Sequence, residues 1–237
     1  MTLPDSPLPP TRVNPKFMLI YGPRKVGKTT TLAKLPGNLI IDVEDGTDFV
    51  SALKVKVKNY ADFQILCGEL CKHTPRKYPF VTIDTVDSLE EWSKIRACEL
   101  YKQSPMGVNF KPEANNYTTE GLPNGAGYLW IRRAFQEILQ WTYPLADTVI
   151  FVGHVRDKSI QDLGTSVDSK ELDLIGKNKA ILCQACDTVG HMYRTSQGEL
   201  GINFQSHQHV LCSSRVSHIT GKDIKFSGGK GWEQIFI

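Results

Sequence analysis

The run Gly22-Pro23-Arg24-Lys25-Val26-Gly27-Lys28-Thr29 constrains this chain more than any other feature. It follows an apolar stretch, KFMLIYG (16–22), and opens a helical one, KTTTLAKL (28–35). A strand that ends in a glycine loop at a helix N-terminus aims backbone N–H groups and the positive end of a helix dipole at one point. Such a point suits phosphate. In the G-x-x-x-x-G-K-[ST] pattern the lysine, here Lys28, reaches the β- and γ-phosphates, and the hydroxyl of Thr29 goes to Mg²⁺. Gly22, Pro23, Arg24, Lys25, Val26, Gly27, Lys28, Thr29 and Thr30 form the expected cradle, with Arg24 and Lys25 at its solvent edge. No guanine-selecting Asn-Lys-x-Asp sequence stands in the expected place, which favours ATP.

Around this motif short apolar runs alternate with helical patterns. Strands are expected at 16–22, 37–45, 52–60, 78–89 and 147–155, and helices at 28–35, 62–73, 89–103 and 128–143. Strands that are apolar throughout are buried on both faces, so the pattern predicts an α/β fold with a mostly parallel central sheet flanked by helices. After residue 155 the chain turns polar and then β-rich, with a hairpin expected across Ser196-Gln197-Gly198-Glu199 in MYRTSQGELGINF. ILCQACDTVGHMYR reads as a strand. Residues 104–127 and 156–178 read as long loops, which in compact domains are usually functional or disordered. Residues 1–15 read as a proline-rich flexible arm and 16–237 as one domain.

With 237 residues, 41% hydrophobic content and a formal charge of +3, the composition is that of an ordinary globular protein; the charge permits nucleic acid as a partner without arguing for it. No apolar run approaches the length of a membrane span and no signal-peptide pattern is visible, so a cytoplasmic setting without a membrane partner is expected. Six cysteines are then expected as reduced thiols. Cys183 and Cys186, with His191, His207, His209 and Cys212 downstream, have zinc-ligand chemistry. Buried structural cysteines are the preferred reading, because strand positions three apart face opposite ways.

A phosphate loop needs a carboxylate near the metal, at the end of a neighbouring strand. Asp84, in FVTIDTVDSL, stands in such a place. The reaction also needs a group that orients or deprotonates water. IIDVEDG offers Asp42, Glu44 and Asp45 at the carboxyl end of the second strand, where ligands of open α/β sheets bind. Glu44 is the chosen base; Asp42 is left to cap or coordinate. Solvated acids in a turn are the alternative.

The order of these motifs, followed by VIFVGHVRDK, resembles the core ATPase domain of the RecA-like recombinases. The resemblance implies a RecA-like P-loop NTPase core with a β-rich C-terminal extension, spanning roughly residues 16 to 215. It implies that Glu44 activates water, that Asp84-Thr85 is the metal-site pair, and that His154 senses the γ-phosphate where the family usually has glutamine. Asp48 matches a base-contacting position. The two long loops fall where the family holds single-stranded DNA, which makes Phe110, Lys111, Tyr117, Arg156, Lys158, Lys170, Lys177 and Lys179 the implied contacts. Lys222, Lys225 and Lys230 are basic groups a neighbouring subunit could receive. The chain looks most like compact phage-encoded members of the single-strand annealing type, which implies a host cytoplasm, a ring or filament of identical subunits, and a single-strand binding protein among the partners.

Three functions follow. The first is an ATP-driven single-stranded DNA binder in annealing or recombination. The second is a P-loop NTPase or kinase acting on a small molecule. The third is an annealing module that holds ATP with negligible hydrolysis.

Overall fold

The computed structural model describes residues 3, 5–110, 122, 126–162, 165–206, 210–228 and 230–237, with backbone alone for 158–162 and 165–168. The expected contacts Lys111 and Tyr117 lie outside the described residues, as do His207 and His209, and so does the side chain of Lys158.

Strand β1 (Phe17–Gly22) runs into helix α1 (Lys28–Leu32); β2 (Asn38–Asp42) and β3 (Leu53–Lys56) follow. Then come α2 (Tyr60–Cys71), β4 (Phe80–Asp84), α3 (Val86–Gln103) and α4 (Gly127–Thr142). Next are β5 (Thr148–Asp162), β6 (Thr165–Leu172), α5 (Asn178–Ala185), β7 (Thr188–Arg194) and β8 (Leu200–Asn203). The described chain closes with β9 (Ser213–Ser214), β10 (Asp223–Phe226) and a 3₁₀ turn at Trp232–Gln234. The sheet order is β10-β8-β7-β1-β5-β4-β2-β3, and every pair from β7 to β3 is parallel. The fold is thus mixed α/β around a large, mostly parallel sheet, as the alternating pattern predicts.

Both faces of that sheet are covered, which is why its strands are apolar throughout. In β1, Leu19 and Tyr21 join one core with Phe63, Leu89, Phe135 and Leu182 from α2, α3, α4 and α5. Met18 and Ile20, on the opposite face, join Leu32 of α1 and the C-terminal Phe226 and Trp232. The Trp232 indole donates to the Thr31 carbonyl at 3.1 Å, so the C-terminal segment packs directly on the helix behind the glycine loop. Among the described residues no helix is long and apolar enough to cross a membrane.

Three local expectations are corrected. Residues 156–178 are not a loop: β5 continues to Asp162 and pairs antiparallel with β6, from Val155↔Leu172 to Asp162↔Thr165. ILCQACDTVGHMYR is not one strand, because Asn178–Ala185 is helical and the chain re-enters the sheet only at Thr188. There the Asp187 carboxylate accepts the backbone N–H groups of Lys16 and Phe17, at 2.8 and 3.2 Å, and pins the start of β7 to β1. The end of the arm is also tied down: Asn14 exchanges hydrogen bonds with the backbone of Ile237, and Arg12 donates to the Asp147 carbonyl. The Ser196–Glu199 turn joins β7 and β8 as expected, closed by Thr195 N–H to Glu199 O at 2.8 Å.

All six cysteines are free. Cys183, Cys186, His191 and Cys212 make no metal-holding group among the described residues. Burial pushes the Cys183 and Cys212 thiols up to about 11, which leaves them inert. His191 is buried on β7 beside Tyr21, and burial lowers its pKa to about 4. An unfolded histidine titrates near ~6.5, so below that pH the unfolded chain binds a proton the folded chain refuses. Its contribution to stability is complete above pH ~6.5 and is lost as pH falls toward about 4. Denaturant midpoints over that window are expected to decline in the wild type and to flatten in His191→Gln; equal slopes would show that His191 is not the group responsible.

Candidate nucleotide site and nucleic-acid surface

Strand register builds the site. Gly22 at the end of β1 pairs with His154 on β5, Val152 on β5 pairs with Asp84 on β4, and Asp84 pairs with Asp42 on β2. Because β5 lies between the glycine-loop strand and the Asp84 strand, one sheet edge receives the loop, the histidine and the acids together. This is the carboxyl edge, where α/β sheets bind ligands.

The two glycines of the loop are required for different reasons. A Cβ at Gly22 would sit 2.3 Å from the Met192 carbonyl oxygen of β7, so no side chain fits there. Gly27 has φ +113°, a conformation L side chains rarely adopt. Lys25 also has positive φ and is exposed, as is Arg24, so both face solvent. Pro23 and Val26 complete the loop, and Thr30 is exposed beside it. Lys28 is buried and donates to the Gly22 and Pro23 carbonyls, each at 2.9 Å. Burial lowers its pKa, against the pull of Asp84, Asp87 and Glu44.

Thr29 donates its hydroxyl to Asp84 Oδ2 at 2.5 Å, a hydroxyl and a carboxylate brought together from α1 and β4. Hard oxygen donors of this kind fit Mg²⁺, which keeps most of its waters and takes one or two protein oxygens. Burial raises the Asp84 pKa, against the Thr29 hydrogen bond. Glu44 is exposed beside this pair, and its Oε1 accepts the Thr85 hydroxyl at 2.5 Å. His154 is buried; its Nδ1 lies 2.9 Å from Asp87 Oδ2 and 4.0 Å from Glu44 Oε1. Asp42 has the capping role: it accepts the amides of Glu44, Gly46 and Thr47 and the Thr47 hydroxyl. Burial raises its pKa but those bonds outweigh it, so Asp42 stays ionised and shapes the turn that presents Glu44. Asp48 is exposed and paired with Lys56 at 2.6 Å, away from these contacts.

Sequence reasoning missed Arg194. Its Nε donates to the Val26 carbonyl at 3.0 Å and one terminal nitrogen to Gly198 at 2.8 Å, bracing the loop against the β7–β8 turn. No motif marks a residue 168 positions away from the loop it braces. Beside it opens a cleft of about 650 Å³ bordered by Gly27, Thr30, Arg194, Gln197, Ser227 and Gly228.

The expected DNA contacts are dispersed. Phe110 packs edge-on against Tyr101 in a small core and does not stand out as a free stacking platform. Arg156 is exposed and 3.9 Å from Asp173, Lys170 is exposed on β6, and Lys179 pairs with Glu171 at 2.5 Å. Lys177 is exposed at the head of α5 and, with Arg132, borders two hollows, one taking in Tyr128 and Ile175 and the other Arg133. Among the described residues Arg132, Arg133 and Lys177 have no carboxylate partner, and Arg133 lies over the Trp130 ring at 4.7 Å. Buried Glu90 of α3 holds the wall of the first hollow by accepting Ile175 N–H and the Asn178 side chain, both at 2.8 Å. Of the basic C-terminal candidates, Lys225 is engaged by Asp223 and Tyr193, whereas Lys222 and Lys230 are exposed.

Parallel strands that bring a phosphate loop and its metal-side acid to one edge place the protein among P-loop ATPases. More narrowly, the chain belongs to the AAA domain family, whose profile matches residues 14–223. No curated protein matches it. Among solved structures it is similar to a crystal structure of the RadB recombinase, with 14% identity and a TM-score of 0.47 over 92% of this chain and 90% of that one.

The buried Asp84 gives a test that separates function from folding. Asp84→Asn removes a desolvated charge, so the unfolding midpoint is expected to stay level or rise. Mg²⁺-dependent ATP turnover is expected to fall roughly 100-fold. A fall in both would make Asp84 a structural residue.

Proposed function

We propose that the protein hydrolyses ATP with Mg²⁺ and couples the nucleotide to binding of single-stranded DNA, in annealing or recombination of the compact phage-encoded type its motifs resemble. The catalytic half rests on the geometry at the sheet edge. Lys28 exchanges its two loop carbonyls for β- and γ-phosphate oxygens. Thr29 and Asp84 are the residues that would hold Mg²⁺, which when bound would supply neutralisation of the charge developing on the phosphates. Glu44, aimed by the Thr85 hydroxyl, takes a proton from the attacking water as its oxygen bonds the γ-phosphorus and the bond to the bridging oxygen of ADP breaks. His154 meets the γ-phosphate from β5.

One observation supports the DNA half above the rest. The strand that carries His154 continues without interruption into the β5–β6 hairpin, and three residues beyond that hairpin Ile175 opens a hollow lined by Tyr128, Arg132 and Lys177, with Arg133 in the one beside it. Unpaired cations beside an exposed aromatic ring are what a sequence-tolerant single-strand site uses, neutralising phosphates and stacking bases. Assembly into a ring or filament belongs to the same reading. Phe49, fully exposed beside Asp48, and the free Lys222 and Lys230 are the surfaces a neighbouring copy would meet.

ATP turnover measured with and without single-stranded DNA across a salt series tests this, with Lys28→Ala as control. Stimulation that fades as salt rises and is absent in the control is the expected result. Replacing Arg132 and Arg133 by Ala should weaken DNA binding at least about tenfold and flatten its salt dependence by roughly 0.7 in log–log slope per lost phosphate contact. Turnover indifferent to DNA, with no DNA binding by polarisation, would point instead to a small-molecule NTPase.

A further inference from the structure

Asp87 touches His154 at the site but has been given no role in the chemistry so far. It stands in the first turn of α3, three residues beyond Asp84, and its Oδ2 is 2.9 Å from His154 Nδ1. The Thr85 hydroxyl, which donates to Glu44, also lies within hydrogen-bond reach of Asp87. Glu44, Asp87 and His154 thereby form one knot, with their polar atoms all within 4.8 Å of one another. Lys28 faces the same group, since Asp84, Asp87 and Glu44 all act on its charge.

We propose that Asp87 is a positioning residue for ATP hydrolysis: its carboxylate fixes His154 through Nδ1 and so turns Nε2 toward the γ-phosphate. The inference rests on the ATPase reading above and adds to it the residue that sets the histidine's orientation. Burial would raise the Asp87 carboxyl, but the hydrogen bond from His154 and the polar groups around it outweigh that and hold it below the usual range. An ionised carboxylate only accepts, so the proton between the two groups belongs to Nδ1. Nε2 is then the ring nitrogen left for the nucleotide, and when the ring carries a second proton Nε2–H donates to a γ-phosphate oxygen while the Asp87 carboxylate balances the charge. Carboxylate–histidine pairs of this kind fix tautomer and ring rotation wherever an imidazole must present one nitrogen. A glutamine side chain presents its amide without such help; a histidine in that place needs a partner, and Asp87 is within reach of it.

Asp87 also sits where an acid favours a helix N-terminus, and that role alone would make it structural. Two measurements separate the possibilities. The first is a double-mutant cycle on ATP turnover with Asp87→Asn and His154→Gln, alongside nucleotide affinity from a fluorescent ATP analogue. Asp87→Asn is expected to lower kcat at least about tenfold while affinity changes less than about threefold, and to cost nothing further in the His154→Gln background. The same fractional loss in both backgrounds, or an equal loss of affinity, overturns the proposal. The second is independent of turnover: long-range ¹H–¹⁵N spectra of ¹⁵N-histidine-labelled protein, with the His154 signals assigned from His154→Gln. The expected spectrum shows Nδ1 protonated in the wild type, in the Nδ1–H or the doubly protonated form, and loss of that proton in Asp87→Asn. A wild type protonated at Nε2 alone, or no change in the variant, overturns the proposal. A wild type that does not hydrolyse ATP would overturn the ATPase reading, and the histidine spectra would still decide the role of Asp87.

Discussion

The pairing of β5 between β1 and β4 is the contact on which the site depends. Parallel hydrogen bonding fixes Gly22 opposite His154 and Asp84 opposite Val152, so the loop, the histidine and the aspartate arrive at one edge without any long-range search. A one-residue slip of β5 would turn every side chain to the other face of the sheet. His154 would then point into a hydrophobic core, and Val152, now wholly buried, would move to the opposite side. The apolar cores on the two faces forbid that slip: Phe151 packs with the helices of one side, Ile150 and Val152 with α1 and the C-terminal segment of the other. Stability of the fold and alignment of the chemistry are the same constraint.

The site gathers more negative charge than one lysine can balance. Asp84, Asp87 and Glu44 all act on the charge of Lys28, and each acid has a hydroxyl or imidazole that holds it in place. Thr29 restrains Asp84, Thr85 restrains Glu44 and His154 restrains Asp87. On the proposed function, a triphosphate with Mg²⁺ would meet groups already oriented, the condition under which electrostatic stabilisation of phosphoryl transfer is effective. Arg194 and Trp232 extend this order outward, one bracing the glycine loop and the other the helix behind it.

The legible parts of the chain were those with a strong local pattern. The glycine loop, Asp84 and Glu44 sit in short motifs at the ends of apolar strands, and apolar runs reveal a two-sided sheet. The β5–β6 hairpin was hidden because RDKSIQDLGTSVDSKEL is polar and has no apolar face for periodicity to report. The sequence of helix α5 also suits a strand, because its cysteines and isoleucine fit either state, and only packing of Leu182 against the helix-covered face of the sheet decides. Arg194 and Asp87 were missed for another reason. Each acts on a residue distant in sequence, and such a partner is set by strand register, which one sequence does not display.

The central claim is that this edge activates water through Glu44 while the loop holds ATP independently of it. Single-turnover hydrolysis of ATP by Glu44→Gln, with nucleotide affinity measured on the same protein, addresses it most directly. The account predicts affinity within about threefold of wild type and a hydrolysis rate lower by roughly 100-fold or more. A rate within a few-fold of wild type, or a loss explained by failure to bind ATP, would contradict it.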